Sequence, residues 1–336
     1  MDDIDGTIFG KSTEREILDL ERRGLLPKRI NRFGDHYLKF LLAAPERKRL
    51  LLDLLNSTLR LTGYEPLEDI EPMDREISPR GDGRKGIRLD YLGRTASGRI
   101  VNLEFQNRPT GDFAKRALYS GSALIYGQLL SGEDYDGIRQ TIFVGLLDFP
   151  IFKGEAGWYW DFIMSHPKSG KILTRDMVLI FIETPKLKDM LKDLRRKARA
   201  GVVDMEDPET RLAAWGGYVT SEGVDILSES MVSDEVFSEV MKVEKDFWGD
   251  KRNRFIQLME ERRELDAISE LASAKREGMV EGLAKGEAKG KAEGLAEGEA
   301  RGKAGTARRM LARDMEISLV ADITGLSEDE VRTLAE

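Results

Sequence analysis

The 336-residue chain contains no cysteine. That excludes disulfides, thiol nucleophiles and cysteine-ligated zinc, and it fits a reducing compartment such as the cytoplasm. There are two histidines, His36 and His166, too far apart in sequence to offer a metal-binding spacing or a histidine-based triad. No apolar run approaches the ~20 residues that cross a bilayer. The opening residues, Met1-Asp2-Asp3-Ile4-Asp5, are acidic and lack the apolar centre of a secretory signal. A formal net charge of −8 argues against a protein that coats nucleic acid over its whole surface. No phosphate-binding P-loop and no nucleophilic serine signature is present. Gly81-Asp82-Gly83-Arg84-Lys85-Gly86 matches the dinucleotide-binding pattern by letter. It precedes a strand instead of joining a strand to a helix, so the match is chance or a turn.

Against these absences, 40% apolar residues support a globular body, and 34% charged residues suggest an added solvated element. Two segments alternate apolar and polar residues, Ile87 to Leu92 and Arg99 to Gln106, with Gly93 to Gly98 between them. They predict a β-hairpin. If the turn centres on Ser97, Asp90 lies directly across from Glu104, with Cβ atoms roughly 4.5–5.5 Å apart. Gln106 shares their face, while Val101, Leu103 and Phe105 point the other way, into a core. Two carboxylates that close repel unless a proton or a cation sits between them. A hard cation such as Mg²⁺ takes one or two carboxylates together with waters and substrate phosphates, which this pair offers. Between Asp74 and Arg116 there are ten Lys or Arg (75, 80, 84, 85, 88, 94, 99, 108, 115, 116) against six Asp or Glu (74, 76, 82, 90, 104, 112). This locally basic stretch is either an anion-facing surface or mixed solvated surface.

The first thirty residues are charged and read as a peripheral extension. Residues 35–60 have helical periodicity interrupted near Pro45, and 74–78 read as a short strand ended by Pro79. Asp112 reads as the N-cap of a helix over 113–130, stopped near Gly132. Thr141 to Leu147 is a continuous apolar run, the pattern of a buried strand. The runs 158–164 and 177–182 are candidates to extend the sheet. Beyond Pro185 the chain turns helical, with a long helix expected over 247–274. Glycine then recurs at every fourth position, at 278, 282, 286, 290, 294, 298 and 302. At about 1 kcal/mol each relative to alanine, these glycines weaken a helix. The segment therefore reads as a semi-flexible charged spacer, or alternatively as a helical arm whose small-residue ridge serves self-association. The tail, from Ile317 to Val331, reads as helix, glycine turn, helix, with Ser327 and Glu330 forming a capping box. Helix-turn-helix DNA readers use such a unit, but its second helix has few basic residues, which favours a small packing module.

The pattern of Asp90 on one strand and Glu104-Phe105-Gln106 on the next resembles the core of PD-(D/E)XK nucleases. It is similar above all to the bacterial putative-transposase branch, the recombination-promoting nuclease type. Asp35 before an aromatic helix, Leu89-Asp90, Gly98 to Gln106, Arg116-Ala117-Leu118-Tyr119, Gly132 to Tyr135 and Phe181 to Lys186 carry the resemblance. So do the Glu-Gly repeats and the ending Ile323-Thr324-Gly325-Leu326-Ser327. The resemblance implies an α/β fold with a restriction-endonuclease-like core (helix, three strands, helix, strand) and a C-terminal helical arm. The expected divisions are an extension at 1–30, the core at 31–190, a helical region at 191–275, the repeat arm at 276–306 and the helix pair at 307–336.

The implied activity is hydrolysis of DNA phosphodiester bonds with Mg²⁺ (or Mn²⁺), linked to recombination or transposition. Asp90 and Glu104 would hold the metal, with the Phe105 backbone carbonyl as a further ligand. Gln106 stands where the wider superfamily usually has lysine; an amide can orient the attacking water but cannot neutralise charge. Asp35 is a candidate third acid, and Lys85 and Arg116 are candidate partners of phosphate oxygens. The alternative is a catalytically inactive DNA-binding or self-associating protein that keeps the fold.

Overall fold

The computed structural model describes residues 10–77, 86–109, 111–220 and 234–335. Lys85, all but the last residue of the segment 81–86 and the end of the strand expected over 74–78 lie outside the described residues. The chain divides into two compact units, 1–260 and 261–336. Among the described residues no helix is long and apolar enough to cross a membrane.

The first unit opens with α1 (Lys11–Arg22). The N-terminal stretch is less peripheral than its charge suggests, because Ile17 and Leu20 bury with Leu26 against Phe255. Helices α2 (Asp35–Leu42) and α3 (Lys48–Leu61) are separated by a 3-10 turn at Pro45–Arg47. Proline has no N–H to donate and cannot continue α2, so the break falls where the sequence places it. Among the described residues eight strands follow in two sheets: β1 (Glu71–Pro72), β2 (Glu76–Ile77), β3 (Ile87–Arg88), β4 (Tyr91–Arg94), β5 (Ile100–Gln106), β6 (Thr141–Leu147), β7 (Tyr159–Ser165) and β8 (Ile172–Glu183). Helix α4 (Phe113–Tyr126) connects β5 to β6. Helices α5 (Lys188–Arg199), α6 (Pro208–Val219) and α7 (Glu235–Gly249) complete this unit together with the start of α8 (Lys251–Leu311).

The main sheet has the order β1-β4-β5-β6-β8-β7. Strands β5, β6 and β8 run parallel, and β4 and β7 join antiparallel at the two sides. One face is covered by α2, α3, α6 and α7 through Leu38, Leu54, Trp215 and Phe237, which pack with Val101, Val144 and Ile180 of the sheet. On the other face Phe113 and Ala117 of α4 pack on Phe143, Leu147 and Phe181. This is the mixed α/β core expected from the sequence, with both extra apolar runs added to the sheet as β7 and β8.

Three elements differ from the periodicity reading. The strand expected over 87–92 is split: β3 pairs with β2 in a separate two-stranded sheet, and β4 starts at Tyr91 after a bend at Asp90. Gly93 belongs to β4 and not to the turn. A Cβ there would lie 2.6 Å from Ile70 Cγ1, so glycine admits the Ile70 side chain and leaves the turn to residues 95–99. Helix α4 ends at Tyr126, earlier than expected, because the Gln128 side chain bonds both backbone groups of Arg139, at 2.7 and 3.0 Å. Asp112 sits at its N-cap position without a side-chain cap bond. The helix expected over 247–274 is broken at Asp250, whose carboxylate accepts the Arg252 N–H at 2.8 Å and starts α8 as a new helix.

Of the two readings of the glycine repeat, the structure has the helical one: the repeat is part of a continuous 61-residue helix. Between the glycines, alanine recurs at 284, 288, 292, 296, 300 and 304, and alanine is the best helix former. The intervening charges pair at i,i+4, with Glu281–Lys285 at 2.5 Å, Glu297–Arg301 at 2.6 Å and Glu299–Lys303 at 3.0 Å. Each such exposed pair adds roughly 0.3–0.5 kcal/mol and offsets part of the glycine penalty. A Cβ at Gly286, Gly290 or Gly294 meets nothing within 4 Å. The triple change to alanine is therefore expected to raise helix stability by about 1 kcal/mol per site. It should be visible as slower amide exchange across this segment, and unchanged exchange would contradict the single-helix account.

In the second unit, the end of α8 packs with α9 (Ile317–Thr324) and α10 (Glu328–Ala335) around Ala307, Val320 and Val331. The capping box is formed: the Ser327 N–H donates to Glu330 at 2.7 Å, and the Glu330 N–H donates to Ser327 Oγ at 3.3 Å.

Candidate active site

The pairing of Tyr91 with Leu103, Leu92 with Asn102 and Gly93 with Val101 fixes the register of β4 against β5. Continued by one residue, it sets Asp90 across from Glu104. Two hydrogen bonds close this end of the ladder. The Asp90 N–H donates to Glu104 Oε1 at 3.3 Å, and the Phe105 N–H donates to Asp90 Oδ2 at 2.8 Å. Where the bend at Asp90 ends regular pairing, each strand's N–H thus finds the carboxylate of the other.

Glu104 is 5% exposed, and the cause lies in β6 and α4. Gly145 is its register partner on β6, and Phe181 on β8 is the next along. The Phe113 ring lies over Gly145, where a Cβ would meet Phe113 Cζ at 3.0 Å. An aromatic wall therefore stands beside the carboxylate, on the face where Phe143, Leu147 and Phe181 pack with Phe113. Burial, and then the charge of Asp90, push the Glu104 carboxyl up to about 8. Burial also raises Asp90, with the Phe105 N–H opposing it and Asp35 adding to it. The pair thus cannot comfortably hold two negative charges without a proton or a cation.

Cationic groups surround the pair. Arg116, on α4, favours the ionised form of both carboxyls, and Lys39 favours that of Asp90. Arg116 Nη1 donates to Gln106 Oε1 at 3.4 Å, so Gln106 and Arg116 meet at the end of β5. Asp35 starts α2 and is near enough to act on Asp90, but its carboxylate accepts from Lys39 Nζ at 2.6 Å. The approach to α2 is clamped by the first turns of α8: the Asn31 N–H donates to Gln257 and the His36 N–H to Glu260, both at 3.1 Å. Among the described residues no three acidic or histidine side chains converge to hold a metal by themselves.

The structure thus brings together Asp90, Glu104, Gln106 and Arg116, with Asp35 at their margin. Phe105 contributes its N–H to Asp90, and Lys85 is outside the described residues. Sequence reasoning missed Lys39, Asn102 and the Phe113–Gly145 wall. Asn102 could have been flagged by its period-two spacing from Glu104. The wall could not, because it depends on how α4 crosses the sheet.

The family model described as PD-(D/E)XK nuclease family transposase matches residues 32–274. The chain belongs to this family. The match spans Asp35, Asp90, Glu104, Gln106 and Arg116, in agreement with the resemblance drawn from those residues. A second model, the C-terminal HTH domain of the Rpn/YhgA-like nuclease family, matches residues 306–336 and so takes in α9 and α10. Comparison with curated proteins found no match, and comparison with solved structures found none. Membership of a PD-(D/E)XK nuclease family implies a phosphodiesterase lineage and DNA as the partner, and nucleases of this kind typically use divalent metals.

Proposed function

We propose that the chain is a metal-dependent DNA endonuclease, cytoplasmic and associated with recombination or transposition. The observation that carries this reading is the opposed pair of half-buried Asp90 and buried Glu104, whose mutual repulsion a hard cation relieves. Two carboxylates suit Mg²⁺ (or Mn²⁺), which keeps several waters and shares its shell with substrate phosphates. Bound there, such an ion supplies Lewis-acid polarisation of the scissile phosphate and a water acidic enough to attack it.

In this reading the nuclease core is 31–190. Asp90, Glu104 and the Phe105 carbonyl hold the metal, with Asp35 a third acid once released from Lys39. Gln106, steadied by Arg116, orients the attacking water through its amide. Arg116 and Lys85 pair with phosphate oxygens. The second helix of the terminal pair begins with Glu328, Asp329 and Glu330, and Arg332 is bonded to Glu328 and Asp329, each at 2.9 Å. This acidic end favours a DNA grip centred on the core. The glycine ridge of α8 is a candidate self-association surface on which the nuclease reading does not depend.

The test is incubation with supercoiled plasmid, with Mg²⁺ or with EDTA, beside Asp90→Ala. Nicking is expected to need the metal and to fall by at least ~10²-fold in the variant, the usual scale for losing a preorganised charge-bearing group. Equal traces in both proteins mean contamination. Retarded DNA without cleavage, unchanged or tighter in Asp90→Ala, would favour the catalytically silent DNA-binding protein instead.

A further inference from the structure

Asn102 is an unusual residue for its place. It lies in the middle of β5, between Val101 and Leu103, in a central strand. Asparagine is disfavoured there because its amide must be satisfied away from water. Its side chain is 0% exposed, and among the described residues neither its Nδ2 nor its Oδ1 has a hydrogen-bond partner. The register neighbours on either side are Leu92 and Phe143, which offer no polar atom from their side chains. Leaving a buried amide unsatisfied costs about 1–3 kcal/mol. An apolar residue would therefore serve the fold better, so a purely structural reason for Asn102 is hard to find.

The next side chain on the same face of β5 is Glu104, two residues on. The Asn102 amide is near enough to favour the charged form of that carboxylate, yet not in a geometry that completes a hydrogen bond. Groups that orient a metal-binding carboxylate commonly sit one shell behind it and change metal affinity when removed.

We infer that Asn102 is a positioning residue whose side-chain amide aims the Glu104 carboxylate at a divalent cation shared with Asp90. The inference rests on the metal-dependent reading of that pair. It assigns Asn102 no contact with the substrate. It also explains why the strand keeps a polar side chain where packing alone selects an apolar one.

Mn²⁺ binding to the full-length chain without DNA, followed by calorimetry or by electron paramagnetic resonance, tests the inference without relying on cleavage. Asn102→Leu fills the site with an apolar side chain, and Asn102→Ala removes the amide without crowding it. Both are expected to bind Mn²⁺ roughly 10–100-fold more weakly than wild type, with thermal stability equal or higher. Should Asn102→Leu fail to fold, Asn102→Ala alone decides. A folded variant with wild-type Mn²⁺ affinity overturns the role given to Asn102 and leaves the metal-binding pair intact. No Mn²⁺ binding by the wild-type chain overturns the metal reading and this inference with it.

Discussion

Glu104→Gln is expected to raise the melting temperature of the metal-free protein at pH 8 to 9 and to leave it unchanged near pH 4. The folded-state carboxyl stands at about 8 against an ordinary value of 4.5, through burial and the neighbouring Asp90 charge. Between those two values the folded state binds a proton that the unfolded state has released. Stability of the wild type therefore falls as pH rises through this window and levels off above it. Glutamine mimics the protonated form and takes no part in that fall, while its amide oxygen can still accept the Asp90 N–H. One pKa unit corresponds to about 1.4 kcal/mol. Allowing for coupling to Asp90, a gain of roughly 2–4 kcal/mol follows, or about 5–10 °C for a domain of this size. Millimolar Mg²⁺ or Mn²⁺ should restore stability to the wild type at pH 8 by binding only the folded state, and should do little for Glu104→Gln. Thermal melts across pH, with and without the ion, check this. A difference between the two proteins that does not change with pH would show that the carboxylate repulsion is not there.

Arg32→Met is expected to destabilise the first unit by about 3–5 kcal/mol, the scale for leaving one charge of a buried pair without its partner. The Arg32 guanidinium holds Glu244 in two bonds of 2.6 and 2.7 Å, and the side chains are 9% and 15% exposed. Tyr218 donates to the same Glu244 carboxylate at 2.6 Å, and its hydroxyl also meets that of Tyr37. This network ties α2, α6 and α7 together just where the chain enters α2 and Asp35. Loss of Arg32 alone leaves Glu244 charged among Phe247, Tyr37 and Tyr218. In the double variant Arg32→Met/Glu244→Met, no buried charge remains, and most of the stability should return. Urea midpoints for the two single variants and the double give the coupling directly. A loss below 1 kcal/mol in Arg32→Met would mean that water reaches Glu244 and screens it.

Strand β6 was legible to the residue because the short run Thr141 to Leu147, rich in β-branched and apolar residues, suits a strand buried on both faces. The Asp90–Glu104 opposition was legible because antiparallel register is symmetric about its turn, and Gly98 with Ser97 marks that turn. The capping box at Ser327 and Glu330 was equally local. The glycine repeat left a spacer and a helical arm both open, because the propensity of single residues weighs against helix formation. The alanines and i,i+4 charges between the glycines act in the same segment and favour it. The break at Asp250 was missed because an N-cap inside a charged helical stretch resembles any other surface acid.

The sequence by itself determined the buried strand β6, the register that opposes the two carboxylates and the terminal capping box. Each follows from interactions between residues close in the chain or symmetric about a turn. Only the tertiary structure decided that Glu104 is buried, that Phe113 over Gly145 is what buries it, and that Arg116 and Lys39 supply the nearby positive charge. It also decided that the Asn102 amide is fully buried with no hydrogen-bond partner among the described residues. Those facts depend on which helix crosses which face of the sheet. That is settled by packing between segments far apart in sequence, and no local pattern encodes it.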